Sequence, residues 1–589
     1  VTVEVPEIRR DFARWQKGVA GVLAKSTRKA VEDLPADPER LLDSPTYDGI
    51  AIRPLYTALD ELPEPSLPGQ WPFVRGGDPR RDVNSGWKVA EVFGGAADPA
   101  LVNEAILDAL GQGASAIVLA GLPPEAVARA LQGVYLDLAP VQLEAGAELT
   151  AVAEALLTTL DAYEGDAAAV VADLGADPLG NAFADRAGIS IDETVALARR
   201  ATARTEQVRA ITVDGTVAHE SGASDSQELA VAVAAGVAYL RLLQRAGLTV
   251  AEALEQISFR IAATDDQFLS IAKFRAARVL WARVAEVAGA PDAGGAVIHA
   301  VTSEPMMAQR DPWVNMLRTT LAAFGAGVGG ADSVRVRRFD DAIPGGLGAV
   351  SPAFAARIAR NTQLLLIEES HVARVLDPGG GSWFIEDLTE SLAQQAWSLF
   401  TEIEAGGGFE AATELIRERI AATRAQRADD IAHRRTSVTG VNEFPNLAGS
   451  RYRRILARVT GTPPTSRNCG TARMPSWHPP APGRRHCCCR WDRWPNTMCA
   501  PRSRRTCWPP VVSKPSTPVR WTRVLSPTRW PMPEPVSPSS VAPMPGTRPR
   551  PALSSTRRRR PVSPTCISRD RRRLLPRSRR SPGRTGTSP

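Results

Sequence analysis

Carboxylates, hydroxyls and one imidazole recur just after short apolar runs in the first 462 residues. They are Asp173, Asp214 with His219 and Glu220, Asp265 with Asp266, Ser303 with Glu304, and Asp340 with Asp341. Carboxylates converging from several strand ends could hold a divalent cation or serve as general acid and base. The same residue types also cap helices, because a short oxygen-bearing side chain accepts from the first free N–H groups, so capping stands beside function at each position. Four His fall in this region, His219, His299, His371 and His433, and no pair has metal-ligand spacing. His299 lies inside an apolar run and reads as core, while His371 and His433 lie in helical patterns and read as solvent-facing. His219 is the imidazole whose neighbours could use its titration. No Cys precedes residue 463, which excludes thiol catalysis, disulfides and cluster ligation there. Phosphate-cradling motifs are missing too, since GGADS (Gly329 to Ser333) leads into an apolar run rather than out of one. The GGG triplets at 379–381 and 406–408 read as helix stops.

The elements that must carry these residues follow from hydrophobic period. Runs rich in Val and Ile occur at Trp87 to Phe93, Ala116 to Ala120, Gly133 to Ala139, Ala168 to Leu174, Ala210 to Gly215, Ile257 to Ala263, Ala296 to Thr302 and Ser333 to Phe339. A segment with apolar residues at spacings of three and four follows each, as in Gln227 to Gly247. Eight strands, each with a helix, predict an α/β fold of the (β/α)8 TIM barrel type, whose active sites lie at the carboxyl ends of the strands. Five to seven strands would have favoured a doubly wound open sheet. The expected organisation is an extension over 1–84, the barrel over 85–386, and a helical linker over 387–449.

Beyond about residue 450 the composition changes. Residues 463–589 hold 27 of the 71 Lys and Arg but three of the 64 Asp and Glu, a net +24 that leaves −17 for the rest. All seven Cys and 26 of the 48 Pro also lie there. A disordered Arg/Pro-rich tail, or an arm contacting nucleic-acid phosphates through runs such as Thr556 to Pro561, would explain the charge. Neither explains three consecutive Cys at 487–489. GC-rich coding DNA read out of frame explains both. With GC-rich codons, moving back one base turns Ser466 to Trp477 into FEELRDRADAFL, an amphipathic helix. The same move turns Cys487 to Ser503 into LLLPLGPLAEHNVRTTF, the start of a βαβ unit. Residues 450–589 are therefore expected to be a frameshifted tail without a packed core, and no nucleic-acid partner is expected. No run approaches 18 apolar residues and the amino terminus lacks a signal-peptide layout, so no membrane span and a cytoplasmic chain are expected.

Several strings go beyond a shared fold. Tyr47 to Tyr56 with Pro68 to Gly76, Ala272 to Trp281, and above all ARIARNTQLLLIEES (Ala356 to Ser370) with RVLDPGGGSWFIEDLT (Arg374 to Thr389) resemble the methylmalonyl-CoA mutase family. The resemblance implies an acyl-CoA-binding barrel, a carboxyl-terminal flavodoxin-like domain that binds adenosylcobalamin, and interconversion of methylmalonyl-CoA and succinyl-CoA. It also implies three losses. Catalytic members carry a Tyr-His pair after strand five, where this chain has Thr216 and Val217, and His219 falls two residues late. They carry a Tyr beside the substrate where this chain has Asp82, and a cobalt-ligating His that the tail lacks in either frame. With the scaffold strings intact, this pattern resembles the family's small subunits. It implies no catalytic or cofactor residues in this chain, the flavodoxin-like domain lost, and a catalytic large subunit as the partner that holds adenosylcobalamin. A self-sufficient acyl-CoA mutase, or a barrel repurposed for acid/base chemistry on the Asp and His219 rim, is the alternative. On the same resemblance, Val217 and Asp82 should both lie near the carboxyl-end mouth.

Overall fold

Alternating and continuous apolar runs become eight parallel strands that close into a barrel. The computed structural model of the protein describes residues 5–95 and 98–445. The strands are β1 (Lys88–Gly94), β2 (Ala116–Ala120), β3 (Val141–Glu144), β4 (Val171–Ala176), β5 (Gln207–Asp214), β6 (Ile257–Ala263), β7 (Val297–Thr302) and β8 (Ser333–Arg335). Each pairs with its sequence neighbour, and β8 closes the ring on β1 through Ser333 opposite Lys88. Outward-facing residues such as Ile117, Leu119 and Leu143 are buried beneath the surrounding helices, and Trp281 meets Phe259 edge-on with ring centroids 4.8 Å apart. A helix that continues each strand covers the barrel because the next strand must be regained in parallel.

One strand differs from expectation. The run Gly133 to Ala139 forms turns, and β3 starts after Pro140. Gly133 has φ 77°, and the turns that follow leave Tyr135 and Leu138 exposed while Val134, Leu136 and Ala139 reach the core without pairing as a strand. The shorter string VQLE alternates sides as a strand must, with Gln142 and Glu144 turned into the bore.

The segment expected to link domains from 387 onward begins earlier and packs more tightly. Helix Trp383–Ala405 lies on helices Asp225–Arg245 and Gln267–Val287, a second layer over the barrel wall. Arg275, fully buried, ties the layers together through Glu386 at 2.6 Å and Asp377. Helix Thr413–Ala432 then runs back toward β5, where Arg427 donates to the carbonyls of Gly222 and Ala223. Helix Asp225–Arg245 is long and apolar enough by composition to cross a membrane, but 78% of that window is buried between the barrel and Trp383–Ala405. Ahead of the barrel, helix Val5–Thr27 and a two-stranded hairpin make up the extension. The frameshifted tail expected over 450–589 lies outside the described residues, as does any flavodoxin-like domain.

Candidate functional site

The bore of a (β/α)8 barrel is ordinarily filled by branched aliphatic side chains. In this chain each of β3 to β8 turns at least one polar side chain into the bore, and two layers of side chains bridge it. In the lower layer, Gln142 on β3 donates to Ser333 on β8 at 3.1 Å and lies 3.0 Å from Nδ1 of His299 on β7. Nε2 of His299 lies 3.2 Å from the carboxylate of Asp173 on β4. Strands β3 and β7 face each other across the ring, so the Gln142 to His299 contact spans its full width. Burial alone would push Asp173 up, but the His299 imidazole outweighs it and holds the carboxyl at about 2.

The upper layer sits at the carboxyl-end mouth. Glu144 closes β3, and its Oε1 accepts from Arg335 on β8 at 2.7 Å and meets Arg260 on β6 at 2.9 Å. Both arginines stand three strands away from β3, one on either side, so the three side chains cross the opening. Arg260 also reaches Asp214 at 3.3 Å. Burial raises the Glu144 carboxyl, yet Arg260 and Arg335 overcome it and bring it down to about 2. At the rim, Glu220 lies between Arg186 at 2.8 Å and Arg337 at 3.1 Å, and Arg337 is 3.4 Å from Glu304. The guanidinium groups of the mouth are each paired with a carboxylate of this chain.

Beside the mouth, the short helix Thr216–Glu220 brings His219 to Ser303, Nε2 to Oγ at 2.7 Å. Its Nδ1 lies 3.5 Å from Glu228, whose carboxylate also takes Lys273 at 2.8 Å and the Ala262 N–H at 2.7 Å. Asp225 completes the group at 2.6 Å from Lys273. Burial and the Lys273 charge pull His219 down to about 3, so its imidazole is neutral at physiological pH. Burial pushes Glu228 up to about 7 despite Lys273. Asp225 and Glu228 outweigh the burial of Lys273 and raise its pKa.

The residues singled out from sequence divide cleanly. Asp173, Asp214, His219, Glu220, Ser303, Glu304 and His299 do converge on the bore and its mouth. Asp266 is a helix cap, accepting from the Leu269 N–H at 3.0 Å, and Asp265 lies 3.8 Å from Arg318. Asp340 accepts from the Leu347 N–H at 3.0 Å and organises its own loop, with Asp341 held by Arg338 at 3.2 Å. His433 is exposed and paired with Asp429 at 3.0 Å, while His371 lies in a turn with φ 54° rather than in a helix. Val217 is buried at the mouth side, 4% exposed. Asp82 is not there. It accepts from the Asn84 N–H at 2.9 Å and from Ser85 Oγ at 2.7 Å, in a turn that leads through Gly86 into the amino end of β1. Asp82 is therefore at the opposite end of the barrel from Val217, because this tight turn enters the strand only six residues later. Gln142, Glu144, Arg260, Arg335, Arg337, Glu228 and Lys273 escaped sequence reasoning. For the first five the signal was a polar residue at alternate places in VQLE, ISFRIAA and SVRVRR; Glu228 and Lys273 lie on helices, outside those strings.

Among the described residues no group of three or more His, Cys, Asp or Glu is arranged to hold a metal ion. His219 and His299 are engaged within the barrel, so neither imidazole of the bore and its mouth fits as a ligand to the cobalt of a cobalamin.

A family model described as methylmalonyl-CoA mutase matches residues 123–455. A probable methylmalonyl-CoA mutase small subunit of Mycobacterium tuberculosis is 58% identical over 458 residues, covering 76% of this chain and 74% of the relative. The methylmalonyl-CoA mutase small subunit of Streptomyces virginiae is 49% identical over 454 residues, covering 76% and 72%. That of Propionibacterium freudenreichii subsp. shermanii is 37% identical over 447 residues, covering 74% and 69%.

Proposed function

The chain belongs to the methylmalonyl-CoA mutase family of isomerases, and from that premise we propose that it is a non-catalytic small subunit supporting a catalytic large subunit in a cytoplasmic heterodimer. The observation that carries this reading is the salt-bridged mouth. Converting an acyl-CoA thioester requires an open place for the acyl group and a free donor aimed at its carbonyl. Glu144, Arg260 and Arg335 cross the opening, and with Asp214 beside Arg260 the two positive charges meet two carboxylates. Val217 offers no donor where the family resemblance places one.

Adenosylcobalamin supplies radical chemistry when bound. In this reading the large subunit holds it, and this chain contributes fold stability and a docking surface to propionate-type metabolism. The tail beyond about 450 is read as an out-of-frame product of a gene whose original version continued into a flavodoxin-like domain; the DNA across codons 450–466 bears directly on it. Equilibrium dialysis tests the cofactor assignment: the isolated chain should retain no stoichiometric adenosylcobalamin, whereas the mixture with a large subunit should. Stoichiometric binding to the isolated chain would favour a self-sufficient mutase.

A further inference from the structure

Helix Val314–Val328 follows β7 and takes its place in the outer ring. A ring helix buries one stripe on the barrel and ordinarily turns charged residues to water, as Ile191–Thr202 does with Asp192, Glu193, Arg199 and Arg200. Val314–Val328 does the reverse. Leu317 and Leu321 are its exposed positions, 67% and 41% accessible, and Trp313 just before it is 50% accessible. Spaced by four, the three form one row along the helix. The helix has a single charged residue, Arg318, and it is 5% exposed and turned inward to Asn315 at 2.8 Å and the Thr439 carbonyl. Trp313 itself stacks on Phe339, ring centroids 5.0 Å apart, which fixes its ring at the head of the row.

Together Trp313, Leu317 and Leu321 expose apolar surface on the order of 350 Å², within the range of the largest patch on a soluble protein, which is often functional. It is about half of what each partner gives to a standard stable interface. Depletion of charge with enrichment of aromatic and aliphatic residues is the signature of the buried centre of a permanent interface. We propose that the row Trp313, Leu317 and Leu321 is the centre of the surface that docks the large subunit, against an uncharged apolar face of that partner. This inference rests on the small-subunit reading and adds its location.

The test uses the full chain and a catalytic large subunit of the family. Hydroxyl-radical footprinting should label Trp313 readily in the isolated chain, and adding the large subunit should cut that labelling at least fivefold. The double substitution Leu317→Asp and Leu321→Asp should raise the Kd for the large subunit by about a hundredfold or more. Arg199→Asp, on a charged ring helix, should leave it within twofold. The footprint is read on the unaltered chain, so it decides the matter even where the double variant folds poorly. A row already shielded in the isolated chain, by a second copy or by the chain's own remainder, would overturn the inference. So would unchanged labelling in a complex that forms, and in that case the small-subunit reading survives. Failure of the unaltered chain to bind the large subunit at all sinks both.

Discussion

Glu144 shows how a barrel mouth can be turned into structure. A carboxylate taken from water is costly unless paired, and two guanidinium groups from distant strands pair it here. Its ordinary value of 4.5 falls to about 2 in the fold, and that of Asp173 falls from 3.8 to about 2. Depressed values mean stability that is present above the unfolded pKa and lost as pH falls through the folded one. The chain should therefore weaken between about pH 4.5 and 2. Glu144→Gln should cost about 2 kcal/mol at pH 7 by urea denaturation, and the gap to the unaltered chain should close near pH 2. An equal gap at pH 7 and pH 2.5 would show that the pairing contributes nothing to the fold. At this scale the sequence was partly legible. His219 and Ser303 stand out as polar residues after strand ends, but Arg260 and Arg335 sit within apolar runs, where a charged residue reads as an interruption until its partner across the bore is known.

At the scale of elements, seven of the eight strands lie where hydrophobic period places them, because buried parallel strands need continuous Val, Ile and Leu. The third was displaced because Gly133, at φ 77°, opens a series of turns, so Val134, Leu136 and Ala139 are buried from a loop and pairing waits until after Pro140. Strand ends depend on glycine where backbones meet. Gly94, at the end of β1, has φ 132°, and a Cβ there would lie 2.2 Å from the Ala120 carbonyl oxygen. Gly94→Ala should destabilise the barrel by about 3 kcal/mol, read as a lower urea midpoint. Gly18→Ala is the control. In helix Val5–Thr27 nothing lies within 4 Å of a Cβ at Gly18, so the better helix former should be neutral or stabilise by roughly 0.5–1 kcal/mol. Equal losses at both positions would mean that the close approach at Gly94 is not what the fold requires.

For the whole molecule, the barrel class, the helical layer after it and the family were all carried by patterns that run over hundreds of residues, and these are the most legible features of a sequence. The second-layer role of Trp383–Ala405 was not, since nothing local says that a charged amphipathic helix lies on other helices rather than between domains. In the proposed reading, a mouth crossed by its own salt bridges serves assembly, not turnover. The most direct measurement is conversion of methylmalonyl-CoA to succinyl-CoA, with adenosylcobalamin supplied, by the isolated chain, by its Val217→His variant, and by the mixture with a catalytic large subunit. No turnover is expected from the chain or from the variant, since the added donor meets a mouth crossed by salt bridges and no bound cofactor, and full turnover is expected from the mixture. Turnover by the isolated chain would contradict that reading.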